Sequence, residues 1–250
     1  MSEKRPVAFK LFNAKELGLK TLDPKFNMVV SLIQKGLGDN ISVNNSTPPA
    51  TKLIALLVTT DDQGQFTVPM AKFDIDLNMS EFNTPLQDAP EVTLGYATVN
   101  NIFVNKDFKD FPSIEFMLGR SFPALNKRFI KDGRPPLVYA QTYLSPLSAN
   151  EKRFRNVGFV PMQYSATKTQ SRFSQENMFV LPTCLTSEGL EDYTQSISLD
   201  ISDQERSEIG SKFIQESILT GASIVTHSTQ TFTKQEDQTP TKPTPKPQVL

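Results

Sequence analysis

The chain has no tryptophan, one cysteine and one histidine among 250 residues. Each scarcity removes a class of chemistry. A lone Cys184 forbids an intramolecular disulfide, in keeping with a reducing compartment. Cys184 and His227 together cannot fill a closed zinc site, which takes four ligands of this kind. A Ser-His-Asp or Cys-His set would have to use His227. That residue lies in the alternating stretch ASIVTHSTQTF, which predicts a strand with the imidazole on its polar face. Phosphate-binding patterns of the GxxxxGK[ST] and GxGxxG types are absent, as is a GxSxG nucleophile turn. No apolar run approaches the roughly 20 residues needed to cross a bilayer. The start, MSEKRPVAFKLFNAKE, lacks the apolar stretch of a secretory signal. The expectation is a cytoplasmic or nuclear protein, neither secreted nor transmembrane, with no catalytic set, no cofactor and no metal.

Hydrophobic residues make up 38% and mean hydropathy is −0.33, enough for a core of one large domain. Eighteen phenylalanines give that core an aromatic character. Residues 1–22 show no clear period and read as an arm. Asp23 and Pro24 open a helix in which Phe26, Val29, Val30 and Ile33 share a face, closed by Gly36. KLIALLVTT, from Lys52 to Thr60, reads as a strand ending in the turn Asp61–Gly64. Phe73, Ile75, Leu77 and Met79 alternate with Asp74, Asp76 and Asn78, the period of a half-buried strand that makes a hairpin with the first. EVTLGYATVNNIFVNKD predicts one or two strands with a turn at Asn100-Asn101, and SIEFMLG another. Ser121 starts a short helix stopped near Gly133. PPLVYAQTYL, VGFVPMQYS and MFVLPTCL predict strands, the last two at an edge or bulged because proline interrupts them. Ser148 with Glu151 is a capping box. Ile197, Leu199 and Ile201 alternate as in a strand, and Ser202 with Glu205 caps a helix closed by Gly221. ASIVTHSTQTFT reads as a final strand, and residues 234–250, rich in Pro, Thr and Lys, as a disordered tail. The expected fold is mainly β and sandwich-like with two or three peripheral helices, the alternative being α+β, in a single domain over 23–233.

Formal net charge is only −1, yet its distribution is uneven. From Arg120 to Arg172 there are ten cations against two anions, while residues 187–209 hold seven anions and one cation. Aromatic residues interleave with the cations, as single-strand nucleic-acid binders require. Arg128, Lys131, Arg134, Lys152, Arg153 and Arg155 are the candidate phosphate contacts. Phe154, Phe159 and Tyr164 are the candidate base platforms. RNVGFVPM departs from the RNP1 pattern of RNA-recognition motifs at Asn156, Val157 and Met162. In general organisation the chain resembles viral assembly or movement proteins, although KFDIDLN lacks the Arg of the movement-protein strand motif.

These residues lead to an expectation of a non-enzymatic nucleic-acid-binding or assembly protein of viral, capsid or matrix-like type. Its expected partner is nucleic acid, single-stranded rather than duplex, or an anionic surface, with self-association and peripheral membrane contact. The first alternative is an oligomeric structural protein whose basic segment meets acidic 187–209 of a neighbour or anionic lipid. The second is a metal-dependent enzyme around Asp74 and Asp76, which a strand places on one face roughly 6.5–7 Å apart.

Overall fold

In the computed structural model, the described residues are 6–13, 31, 52–87, 90–145, 148–162 and 177–236. Of the helix expected over 23–36 only Ser31 is described, and it is helical; the tail expected over 234–250 is helical as far as Glu236, and its remainder lies outside the described residues. Seven strands form one mixed sheet: β1 (Val7–Asn13), β2 (Lys52–Thr60), β3 (Phe66–Asn83), β4 (Glu91–Val104), β5 (Leu137–Leu144), β6 (Val160–Pro161) and β7 (Asn177–Pro182). Their spatial order is β1-β2-β3-β4-β5-β7-β6. Every pairing is antiparallel except β4 with β5. Four helices are described: α1 (Ser113–Lys131), α2 (Ala149–Asn156), α3 (Ser187–Ser198) and α4 (Asp203–Glu236). The architecture is mixed α/β. A β-rich body with outer helices was expected and is present in that coarse form. The sandwich is not found among the described residues, where one sheet carries all seven strands.

The continuous apolar run of β2 is buried because the strand lies between β1 and β3 with both faces covered. The β2–β3 turn follows the expected residues. Asp61 accepts from the backbone N–H groups of Gln63 (3.0 Å) and Gln65 (2.7 Å), and Gly64 takes φ +73°.

Alternation along the strands sorts the helices onto opposite faces. Ala97 and Val99 of β4 and Phe179 of β7 share a core with Ile114, Met117, Phe122 and Phe129 of α1 and Phe154 of α2. Leu94 of β4 meets Ile218 and Ala222 of α4, and Val180 of β7 meets Phe213 of α4 and Tyr193 of α3. Helices α1 and α2 thus cover one face, and α3 and α4 the other. α1 is the crossover that makes β4 and β5 parallel. Buried Asn126 secures it, accepting from the Leu137 N–H (2.7 Å) and donating to the carbonyls of Leu137 (2.9 Å) and Thr183 (2.7 Å).

Several expected strands are helical. SIEFMLG opens α1, whose buried positions 114, 117, 118, 121, 122, 125 and 129 keep a helical period. Ile197 lies in α3 and is followed by a short connection to α4, and ASIVTHSTQTFT continues α4 rather than forming a strand. Gly221 does not close that helix. A Cβ there would come within 2.7 Å of Val138 Cγ1, so the glycine permits close packing of α4 on β5. In the described part of VGFVPMQYS, residues 157–162, the strand is the two-residue β6, after α2.

Candidate functional site

β4 and β5 pair in parallel from Gly95↔Leu137 to Val99↔Thr142, and there the ladder stops. Neither strand does. β4 runs on beside β3 as far as Val104, and β5 runs on beside β7 to Leu144↔Asn177. Each strand follows its outer neighbour, and the seam between them opens.

A local irregularity explains the divergence. Asp74 pairs with Asn100 and Lys72 with Phe103, so β4 carries one extra residue over this span. Asn101 sits in that bulge with φ +50°, a left-handed conformation that asparagine tolerates. Its side-chain amide donates to Asp74 Oδ2 at 2.8 Å and fixes the bend. At the last paired position the Thr142 hydroxyl donates to the Val99 carbonyl at 2.9 Å, so a side chain terminates the ladder.

The open seam encloses about 510 Å³. Thr98, Val99, Asn100, Asn101 and Ile102 of β4 form one wall; Thr142, Tyr143, Leu144 and Ser145 of β5 form the other; Ser148 and Asn150 close the end at α2. Ser148 is held there as the N-cap of α2, accepting from the Glu151 N–H at 3.1 Å. None of these lining residues is charged. Asn100 donates its amide N–H to Asp76 Oδ2 at 2.7 Å, while its Oδ1 is buried and accepts no hydrogen bond. A buried acceptor without a donor costs about 1–3 kcal/mol unless a ligand or water supplies one. None of the expected site residues marked this notch. Its one trace was the Asn100-Asn101 pair, which predicted a turn where the structure has a bulge.

The carboxylate pair expected as an acid/base or metal site is already engaged. Asp74 is 4% exposed, with Lys52 Nζ at 3.1 Å and Lys72 Nζ at 3.4 Å. Asp76 holds Asn100. Among the described residues no three His, Cys, Asp or Glu side chains cluster as metal ligands would. His227 is exposed on α4, its Nδ1 2.8 Å from the Ser223 carbonyl one turn earlier, and so lies on a helix instead of a strand.

Cys184 is buried, and desolvation pushes its thiol up to about 11. At pH 8 only about one thiol in a thousand would be ionised. A disulfide reagent at pH 8 is therefore expected to leave Cys184 unlabelled over hours in the native protein and to label it within minutes in denaturant. Rapid native labelling would show that the thiol is accessible.

The basic aromatic segment separates into unlike parts. Arg128, Lys131 and Arg134 are exposed on and just beyond α1. Lys152, Arg153 and Arg155 lie on α2, which packs against α1 on the same face. Arg128 is 3.6 Å from Asp132, and Arg153 donates to Asn150 at 3.3 Å. Arg155 is bound to Glu151 (2.9 Å) and, through two hydrogen bonds, to Asp203 (2.9 and 3.1 Å). The rings correct the expectation most directly. Phe154 is 0% and Phe159 1% exposed, edge to face at 4.8 Å within the core, so neither can stack on a base. Tyr164 lies outside the described residues. Among the described residues no helix is long and apolar enough to cross a membrane.

No known family profile and no curated protein sequence matches the chain. Solved structures of similar form include Arabidopsis thaliana NAA60 in complex with acetyl-CoA: 7% identity, TM-score 0.45, covering 70% of this chain and 99% of that one. The NatC complex bound to Gag peptide and CoA is 12% identical with TM-score 0.41, covering 71% and 98%. A Klebsiella pneumoniae protein assigned as an acyl-CoA N-acyltransferase is 11% identical with TM-score 0.39, covering 71% and 97%. These comparisons run toward acyl-CoA proteins and depart from the expected non-enzymatic, viral nucleic-acid-binding protein. That expectation is corrected, and the expectation that the chain is no enzyme goes with it. The physical ground lies in the chain itself: Phe154 and Phe159, two of the three expected base platforms, are core, and Arg155 is held by two carboxylates.

Proposed function

We propose that the chain is an acyl-transferring enzyme whose β4–β5 notch takes the extended, amide-bearing arm of an acyl thioester. The observation that supports this reading is the open seam. Two strand edges face each other with their ladder discontinued, so their backbone groups can hydrogen-bond an extended guest lying between them. The lining is uncharged and carries amide and hydroxyl groups beside apolar ones, which suits a neutral chain bearing secondary amides. A pantetheine arm has that chemistry.

The reaction type follows from what the notch contains. Cys184, buried and with its thiol pushed up, and His227, exposed on α4, are not among its lining residues. A site lined by neither the thiol nor the imidazole suits an acyl donor that is already activated. Such transfer needs the donor carbonyl oriented and its developing negative charge met by N–H groups.

The fit covers the arm and stops there. The turn from β4 into α1, residues 105–112, has no glycine and sets Asp107 and Asp110 against Lys106 and Lys109. Glu115, in the first turn of α1, has a buried Oε2 that accepts no hydrogen bond. That helix start does not suit a diphosphate. Binding energy is therefore expected from the arm.

Calorimetric titration with acetyl-CoA, S-acetylpantetheine and the nucleotide half alone tests the reading. Acetyl-CoA and S-acetylpantetheine should bind within about tenfold of each other, with the nucleotide half too weak to detect. Ile102→Trp, which fills the notch, should abolish both. Absence of heat from either thioester, or unchanged binding by Ile102→Trp, would overturn it.

A further inference from the structure

We infer that the outward face of α1 docks on the α3–α4 corner of a second copy of this chain, in head-to-tail association. The outward face of α1 and the turn after it present Arg120, Lys127, Arg128, Lys131 and Arg134, all exposed, against the single anion Asp132. Ile130 lies among them at 43% exposure. Two of the guanidinium groups are stiffened by rings beneath them: Arg120 over Phe116 at 4.6 Å and Arg134 over Phe129 at 4.1 Å. Held cations of this kind lose little side-chain entropy on meeting a partner.

The same chain carries a complementary surface. Glu188, Glu191 and Asp192 of α3, Asp200 in the following connection, and Glu205 and Glu208 of α4 are all exposed. The cation among them, Arg206, is tied to the backbone carbonyls of Ile197 (2.6 Å) and Leu199 (3.0 Å). Two large apolar side chains stand within this acidic surface, Leu190 at 54% and Leu199 at 58% exposure. The α1 patch therefore has one apolar side chain among its charges and the acidic patch two, and the two sets of charges have opposite sign. An apolar centre with a polar rim is the ordinary anatomy of a protein interface, and opposite rims set its register.

Placement decides that the match is made between copies. α1 lies on one face of the sheet and α3 with α4 on the other, so the sheet stands between the two patches. The link that rounds the edge, Arg155 to Asp203, uses neither the α1 cations nor the carboxylates named above. Two different patches on opposite faces make a heterologous contact, which adds copies in sequence instead of closing as a two-fold dimer.

Sedimentation velocity on the full chain tests this. At about 30 mM salt, where screening reaches some 20 Å, association should grow with protein concentration. At about 300 mM salt it should weaken at least tenfold. Lys127→Glu/Lys131→Glu and, separately, Glu188→Lys/Glu191→Lys should each sediment as monomers with native circular dichroism. An equimolar mixture of the two should associate again, because it restores one native contact and creates a second with both signs reversed. A monomeric native chain at low salt, association indifferent to either charge reversal, or failure of the mixture to associate would each overturn the proposal. The notch takes no part in these readouts, so they stand or fall independently of acyl-thioester binding.

Discussion

Asp74→Asn is expected to destabilise the protein by about 3–5 kcal/mol, the range for removing one partner of a buried ion pair. Asp74 lies inside β3 with Lys52 Nζ at 3.1 Å and Lys72 Nζ at 3.4 Å. The two lysines are not equivalent. The Lys52 side chain is 34% exposed and can return to water, whereas that of Lys72 is 4% exposed and cannot. The substitution leaves the Lys72 ammonium buried without this carboxylate. The Phe103 ring 5.1 Å away is one contact that it keeps, worth about 1–2 kcal/mol. Urea denaturation of Asp74→Asn measures the loss. Asp74→Asn/Lys72→Met should recover most of it, since the methionine removes the buried ammonium that the single variant deprives of this carboxylate. A loss below about 1 kcal/mol for the single variant would show that Lys72 does not depend on Asp74. The same carboxylate anchors Asn101 in the bulge, so the site's shape and the fold's stability share one residue.

Much of the sheet was legible in the sequence, because strands buried on one or both faces carry their pattern locally. Phe73, Ile75 and Leu77 alternate with Asp74, Asp76 and Asn78, and β3 follows. The Ser202–Glu205 box is formed as the residue types require, with Glu205 accepting from the Ser202 N–H at 2.8 Å. The misread segments are those where local pattern and tertiary packing disagree. Ile197, Leu199 and Ile201 alternate, yet Gly189 and Tyr193, one turn apart, are the buried residues of α3. ASIVTHSTQTFT is rich in β-branched residues, but Ala222 packs on Leu94 and Val138 as part of a helix already running from a strong cap. Gly221 shows why such a residue misleads: glycine serves both a helix stop and a close approach.

The candidate site was far less legible, for a different reason. A notch made where two strands stop pairing has no residue signature of its own. It follows only from knowing that β4 and β5 are parallel neighbours across a helical crossover. The basic aromatic stretch erred in the opposite direction, offering a signature with no site. On a helix, a ring among cations turns inward while the cations remain in water, and EKRFRN is such a helix.

Phe154→Ala is accordingly expected to cost about 3–5 kcal/mol, the range for emptying a buried phenylalanine site. Phe154 is the one residue of α2 that is buried, and it is fully so, packed edge to face against Phe159. The eight residues of α2 are too few to hold a helix without this anchor. Ser148 and Asn150 at the start of α2 close the end of the notch, so loosening the helix should also weaken thioester binding. Lys152, exposed on the same helix, is the control, and Lys152→Ala should change stability by less than about 0.5 kcal/mol. A base-stacking ring would behave the other way, with Phe154→Ala leaving the unfolding midpoint in place and removing only nucleic-acid affinity. Denaturation of the two variants side by side separates these outcomes. An unchanged midpoint for Phe154→Ala would put the ring outside the core and return α2 to the surface role its sequence first suggested.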